Sequence, residues 1–246
     1  MKLRLILLLW VVTGVGRAEN LTTNFNGAVI LQRALAQRVM KDLSLKARLM
    51  TGRGEPVEVL MLVQNTTNET RTIYRIGTME LLVAQPVSGA TRWFLKGTGE
   101  LIGAGRSAKV AGSWFTYYEL GVPFLHWPDV KAAGVDRFRG RDCYLVELTA
   151  SGEPYKRVKA WFDHEFYGMV RAELYDENDG LVRRLSITSF KRLGEVWIPR
   201  GIDVGYVPAN QALPSEEKSR LEIYDGNYDA KLPAEWFDEA KFSAPR

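Results

Sequence analysis

The chain has 246 residues, 33 Lys+Arg against 29 Asp+Glu, two His and one Cys. Apolar residues at 46% and charged residues at 25% are ordinary globular values and exclude wholesale disorder and collagen-like structure. One cysteine excludes an intramolecular disulfide and any multi-cysteine metal site.

Lys2 and Arg4 open the chain, Leu5–Val12 is an unbroken apolar run, and Gly16 and Ala18 stand at −3 and −1 of a cut before Glu19. This is the pattern of a cleaved secretory signal peptide over residues 1–18. The competing reading is a retained N-terminal anchor, but the run falls short of the ~20 residues of a spanning helix. Removing it takes away Lys2, Arg4 and Arg17 and no acid, leaving 30 basic residues against 29 acidic and a net +1. The basicity thus belongs largely to the targeting segment, and no Lys/Arg block with interleaved aromatics marks a nucleic-acid surface. The mature chain is expected to be exported and soluble.

Leu31, Leu35 and Val39 recur every four residues within Ala28–Leu43, so an amphipathic helix is predicted there, capped by Asn24 or Asn26. The period then becomes two. Strands are predicted at Leu45–Leu49, Val57–Val63, Arg71–Ile76, Met79–Ala84, Thr91–Lys96, Asp142–Thr149, Tyr155–Phe162, Gly168–Tyr175, Leu181–Lys191, Ile198–Val207 and Arg220–Tyr228. Gly97–Gly112 reads as a loop, Ser113–Trp127 as an aromatic segment with a short helix, and Pro208–Pro214 as a further loop. Strands at this spacing indicate an antiparallel sheet or barrel; no βαβ rhythm appears.

Catalytic motifs fail on context. Gly103-Ala104-Gly105-Arg106-Ser107-Ala108 fits a dinucleotide fingerprint by letter but lacks its strand and helix. His164-Glu165 has no second histidine four residues on, and two histidines with one cysteine make catalytic zinc a poor fit. Cys143 alternates with apolar neighbours and reads as a buried, inert thiol. A carboxylate pair of the kind glycosidases use is left open. N-x-[ST] triplets stand at Asn20, Asn65 and Asn68, either glycosylation acceptors or chance in polar turns.

What remains is an apolar surplus. Val57–Val63, Met79–Ala84, Tyr144–Leu148 and Val158–Phe162 are apolar on both faces, whereas a sheet with one wet face alternates. Either a sandwich core or a curved sheet sheltering a ligand accounts for it.

Gly112-Ser113-Trp114-Phe115-Thr116-Tyr117-Tyr118-Glu119-Leu120 resembles a stretch of the outer-membrane lipoprotein-sorting proteins, the LolA-like periplasmic carriers. Four further pieces follow in the same order: Gly140–Leu148, Tyr155 to Trp161-Phe162-Asp163, Trp197-Ile198-Pro199, and Leu232-Pro233-Ala234-Glu235-Trp236-Phe237. The resemblance spans about residues 42–243. It departs at Tyr118-Glu119-Leu120, in place of an acid-rich triplet, and at the aromatic run Gly121–Pro128.

The resemblance implies a mainly β fold with a few helices: a single domain over 19–246, a half-open antiparallel β-barrel of the LolA/LppX kind with a helical lid. It implies a periplasmic, monomeric carrier, not an enzyme, with no cofactor. Its ligand would be an acylated lipoprotein or another lipid, its partners an inner-membrane exporter and an outer-membrane acceptor. Shelter of an acyl chain is worth ~0.8 kcal/mol per CH₂, so ~10 kcal/mol for sixteen carbons. An open apolar patch beyond ~600 Å² invites aggregation, so an empty carrier needs a lid. The expected cavity lining is Val59, Met61, Val63, Ile73, Trp93, Leu95, Tyr144, Val146, Leu148, Val158, Phe162, Val170 and Leu174; the lid candidates are Leu31, Leu35 and Phe115. Ordinary core is the competing reading for each. A periplasmic sensor on the same fold and an exported hydrolase with a carboxylate pair are the alternatives.

Overall fold

The computed structural model describes residues 24–51, 54–206 and 218–243. The expected signal peptide, Asn20 and the Pro208–Pro214 loop lie outside them. The described chain falls into two compact units: residues 24–39 with 127–206, and residues 40–126 with 218–243. We call them the α1 unit and the α2 unit.

The α2 unit holds β1 (Leu43–Met50), β2 (Val57–Asn65), β3 (Glu69–Ile76), β4 (Met79–Pro86), β5 (Arg92–Leu95) and β6 (Gly99–Glu100), then the short helix α2 (Tyr117–Gly121), and finally β13 (Lys218–Tyr228) and α3 (Glu239–Ser243). Its strands are ordered β6-β5-β4-β3-β2-β1-β13, each pair antiparallel. One sheet face carries Leu62, Ile73, Leu82, Ala84 and Phe94, closed by Phe237 and Phe242 of the C-terminal segment. That cap is pinned by charge: Arg92 reaches Glu239 at 2.7 Å, and Arg71 donates to the Phe237 carbonyl at 2.9 Å.

The α1 unit holds α1 (Gly27–Ala36), β7 (Asp129–Phe138), β8 (Arg141–Thr149), β9 (Arg157–Asp163), β10 (Met169–Tyr175), β11 (Leu181–Leu193) and β12 (Val196–Gly205). Its antiparallel order is β12-β11-β10-β9-β8-β7. No helix among the described residues is long and apolar enough to cross a membrane.

Two elements, α1 and β7, depart most from the sequence reading. The helix ends at Ala36, not Leu43; Asn26 caps it, its Oδ1 accepting from the Ala28 amide at 2.9 Å. Leu43 keeps the four-residue spacing but belongs to β1, where it pairs with Val63 and Tyr228. Strand pairing outweighs a helical period there, because Leu43 also starts the alternation Leu43, Leu45, Ala47, Leu49. No strand was expected over Asp129–Phe138. β7 has no buried residue and carries a bulge between Ala132 and Gly134, so it shows no apolar alternation to read. The glycine-rich stretch holds only the two-residue β6 and a 3₁₀ turn over Gly103–Ser107, and Ser113–Trp127 folds as α2 and a 3₁₀ turn over Pro123–His126.

Asn65 is buried, and both ends of its side-chain amide are hydrogen-bonded. Its Nδ2 donates to the Lys41 carbonyl at 2.9 Å, and its Oδ1 accepts from the Thr70 hydroxyl at 3.0 Å. The turn chemistry of Asn65 is therefore internal. Asn68 is exposed.

Candidate functional site

Residues directly opposite across a ladder point to the same face. In the α2 unit the register puts Val59, Met61 and Val63 beside Ala47, Leu45 and Leu43 on one side, and beside Ile76, Tyr74 and Thr72 on the other. The same face continues through Leu81 and Val83 to Leu95 and Trp93. All are buried except Leu95, which is half-buried. Five of the expected lining residues thus share one apolar face. Ile73 does not: it lies on the opposite face under Phe237. In β3 Ile73 alternates with Arg71 and Arg75, so the strand's own period sets it on the polar side and Tyr74 takes the place expected of Ile73.

Helix α2 lies against this face. The Tyr74 hydroxyl donates to the Leu120 carbonyl at 3.1 Å, and Gln85 Nε2 donates to the Gly121 carbonyl at 2.6 Å. These carbonyls belong to the last turn of α2, which has no helical donors for them. Burial pushes the Tyr74 hydroxyl well above its ordinary range, so it stays a neutral donor. Trp93 packs under the helix: a Cβ added at Gly121 would fall 2.6 Å from its Cζ2. Tyr118 stacks on Trp93 with ring centroids 6.0 Å apart, and the Arg106 guanidinium lies over both rings at 5.5 and 5.8 Å. Glu119 closes a capping box with Thr116 at the helix start. The lid candidate Phe115 is buried in the turn before α2, its amide donating to Ser113 Oγ and its carbonyl accepting from the Val110 amide.

In the α1 unit Tyr144, Val146 and Leu148 oppose Phe162, Ala160 and Val158. Val158 opposes Leu174, and Phe162 opposes Met169. Five of the expected lining residues, Tyr144, Val146, Leu148, Val158 and Phe162, therefore share a face with Leu174, and all six are buried. Val170 is the exception. The bulge between Met169 and Arg171 turns it to the other face, where it packs with Cys143 and Trp161.

Helix α1 packs on β7 and β8. Gly27 makes this approach possible, since a Cβ there would fall 2.7 Å from the Lys131 carbonyl carbon. Phe25, just before the helix, meets the Tyr144 ring at 4.8 Å. Of the lid candidates here, Leu31 is buried and Leu35 half-buried. Arg33 donates to the Tyr167 hydroxyl, and Tyr167 stacks on Tyr144 at 6.1 Å.

The titratable groups of the interior serve structure. Burial, with Asp163 nearby, pushes the Cys143 thiol up to about 12, which removes the thiolate a nucleophile needs. Asp163 accepts from Arg141 and from the amides of Glu165 and Phe166. Glu119 accepts from Thr116, and Glu173 from Arg171, Arg184 and Tyr175. Among the described residues no group of three or more His, Cys, Asp or Glu is placed to hold a metal ion.

Sequence reasoning missed Phe25, Gly27, Tyr74, Gln85 and Gly121. The glycines carry no periodic signal; their role rests on a close approach seen only once helix and sheet are packed. Gln85 is a polar residue in a buried strand, which alternation alone assigns to no partner.

Residues 94–244 match the model of a family described as "Uncharacterized protein". The chain belongs to that family. No curated protein matches it in sequence. Among solved structures, this family member is similar to an outer membrane lipoprotein-sorting protein domain from Vibrio parahaemolyticus (TM-score 0.75, 14% identity, 89% of this chain and 98% of that one). It is also similar to a DUF1329 family protein from Desulfovibrio piger (TM-score 0.72, 15% identity, 89% and 100%). A LolA superfamily protein from Nitrosomonas europaea follows (TM-score 0.60, 18% identity, 87% and 98%). The fold of this family member is LolA-like: mainly antiparallel β with a few helices. At such identities the likeness speaks for the fold and not for the ligand.

Proposed function

We propose that this protein is a periplasmic carrier that shelters acyl chains of lipoproteins or other lipids and moves them towards the outer membrane. The observation that supports it most is the seating of α2. A short helix lies on the β3–β5 part of a sheet face that is almost wholly apolar, with Tyr74 and Gln85 of the sheet donating to the carbonyls of its last turn. A short cover seated on an apolar face can lift when an acyl chain replaces it, because the chain restores the buried apolar area that the helix gives up. The apolar faces led by Val59, Met61, Val63 and Trp93 in the α2 unit, and by Tyr144, Val146, Leu148, Val158, Phe162 and Leu174 in the α1 unit, are the proposed acyl contacts. Leu31, Leu35 and Phe115 are the proposed cover residues. Delivery then requires an inner-membrane exporter that loads the carrier and an outer-membrane acceptor that unloads it, and the signal-peptide pattern over residues 1–18 supports export to the compartment between them.

The mature protein, purified from periplasm and examined by native mass spectrometry, should carry adducts whose masses match acylated ligands. After delipidation it should take up a fluorescent acyl probe. Protein that carries no adduct and takes up no probe would remove the carrier reading.

A further inference from the structure

The α1 unit contains a cleft on the sheet face opposite Tyr144 and Val146. Phe166, Val170, Phe190 and Trp197 line it, and Arg141 and Asp163 form its polar end. The cleft measures about 210 Å³. That is about seven waters' share of liquid volume at ~30 Å³ each, and it is below the ~300–1,000 Å³ of pockets for drug-sized ligands. A compact molecule of about ten non-hydrogen atoms matches this size. The lining shares no residue with the proposed acyl faces, so the site does not rest on the carrier reading.

Trp197 is 42% exposed at this cleft, an apolar ring presented to solvent beside an open space. The polar end is organised around one cation. Asp163 is buried, its Oδ1 accepting from the Glu165 and Phe166 amides at 3.0 and 3.1 Å. Its Oδ2 accepts from Arg141 Nη1 at 2.9 Å. Asp163 is thus fully engaged and holds the guanidinium by one arm. The guanidinium carbon lies 5.7 Å from the centre of the Phe166 ring. Among the described residues no acceptor meets Nε or Nη2 of Arg141, and the side chain is 47% exposed. An arginine pinned by one arm with the rest of its fork open is preorganised for a carboxylate. Arg192, directly opposite Trp197 across β11 and β12, adds positive charge. Against it stand Asp163, already paired, and the exposed Glu165.

We propose that this cleft binds a small apolar monocarboxylate, with an aromatic or branched chain among Phe166, Val170, Phe190 and Trp197 and the carboxylate on the open donors of Arg141. Calorimetric titration of the mature protein with 3-phenylpropionate tests it, beside 3-phenylpropionamide, which keeps the shape and loses the charge. Saturable one-to-one binding of the acid is expected, with the amide at least tenfold weaker. Arg141→Gln should abolish that preference. Trp197→Ser should weaken both ligands and keep it. Absence of saturable binding, equal binding of acid and amide, or an unchanged preference in Arg141→Gln would each overturn the proposal. If Arg141→Gln does not fold, the acid–amide comparison on the unsubstituted protein decides alone. Palmitate should not displace bound phenylpropionate; stoichiometric displacement would overturn the assignment of a separate site.

Discussion

Gly121 shows how much one missing atom can carry. With no side chain it lets the last turn of α2 settle on the Trp93 ring, and Tyr74 and Gln85 then reach the helix-end carbonyls. Gly121→Ala would place a methyl group 2.6 Å from the ring. Trp93 is fully buried and has no room to give. The variant should lose about 1–3 kcal/mol of stability, the usual cost of overpacking, read by urea denaturation. It should also take up an acyl probe faster, if α2 is the cover; an unchanged uptake rate would place the cover elsewhere. None of this is legible in Glu119-Leu120-Gly121-Val122-Pro123, where the glycine reads as loop punctuation. Trp93, by contrast, stands in a predicted strand, and its burial was expected as lining or as ordinary core. A large apolar residue announces burial through its own chemistry, whereas a glycine's role is defined by what approaches it.

Among the elements, β10 and β11 share a charged cluster around Glu173. Glu173 accepts from Arg184 Nε and Nη2 at 3.0 and 2.8 Å, from Tyr175 Oη at 2.9 Å, and from Arg171. Burial alone would raise the Glu173 carboxyl, but Arg171 and Arg184 outweigh it and hold the group below its ordinary 4.5. Burial and the Glu173 charge in turn push Tyr175 up to about 12, so it remains a donor. A carboxyl lowered in the folded state contributes stability that is complete above 4.5 and fades as the pH falls through its folded value. Thermal melts should therefore drop as the pH falls below 4.5. In Glu173→Gln that acid slope should flatten, with a loss of about 1–3 kcal/mol at neutral pH from the weakened arginine contacts. An acid slope identical in the variant would show that Glu173 is not its source. The elements themselves were legible wherever one face is buried, because alternation then repeats. The expectations failed in three places. In β7 no face is buried. At the β10 bulge one extra residue reversed Val170. In β3 the period is legible, with Ile73 between Arg71 and Arg75, and the expected lining did not follow it.

For the molecule as a whole, the apolar surplus was readable from strands apolar on both faces, and the order of the matching pieces pointed to the LolA-like fold. How the chain is divided was not. The α1 unit takes its helix from one end of the sequence and its sheet from residues 127–206, with the strands β1–β6 in between. Arg33 and Tyr167, which meet at the helix face, stand 134 residues apart. Contacts this distant close large loops and slow folding. In pulsed hydrogen exchange during refolding, the amides of α1 should gain protection after those of β8 and β9; simultaneous or earlier protection of α1 would contradict this.

The same separation matters before folding is complete. Ribosomes deliver about 5–20 residues per second, so α1 exists for roughly seven to thirty seconds before Tyr167 has been made. A helix formed in that interval would present Ile30, Leu31 and Ala34, all buried in the finished unit, as a sticky stripe with nothing to lie on. A nascent chain of this design needs either a holding chaperone or a helix too short to persist alone. Ten residues fall below the ~12–15 at which isolated helices become even marginal. Brevity here keeps the segment unfolded, and so less adhesive, until its sheet arrives.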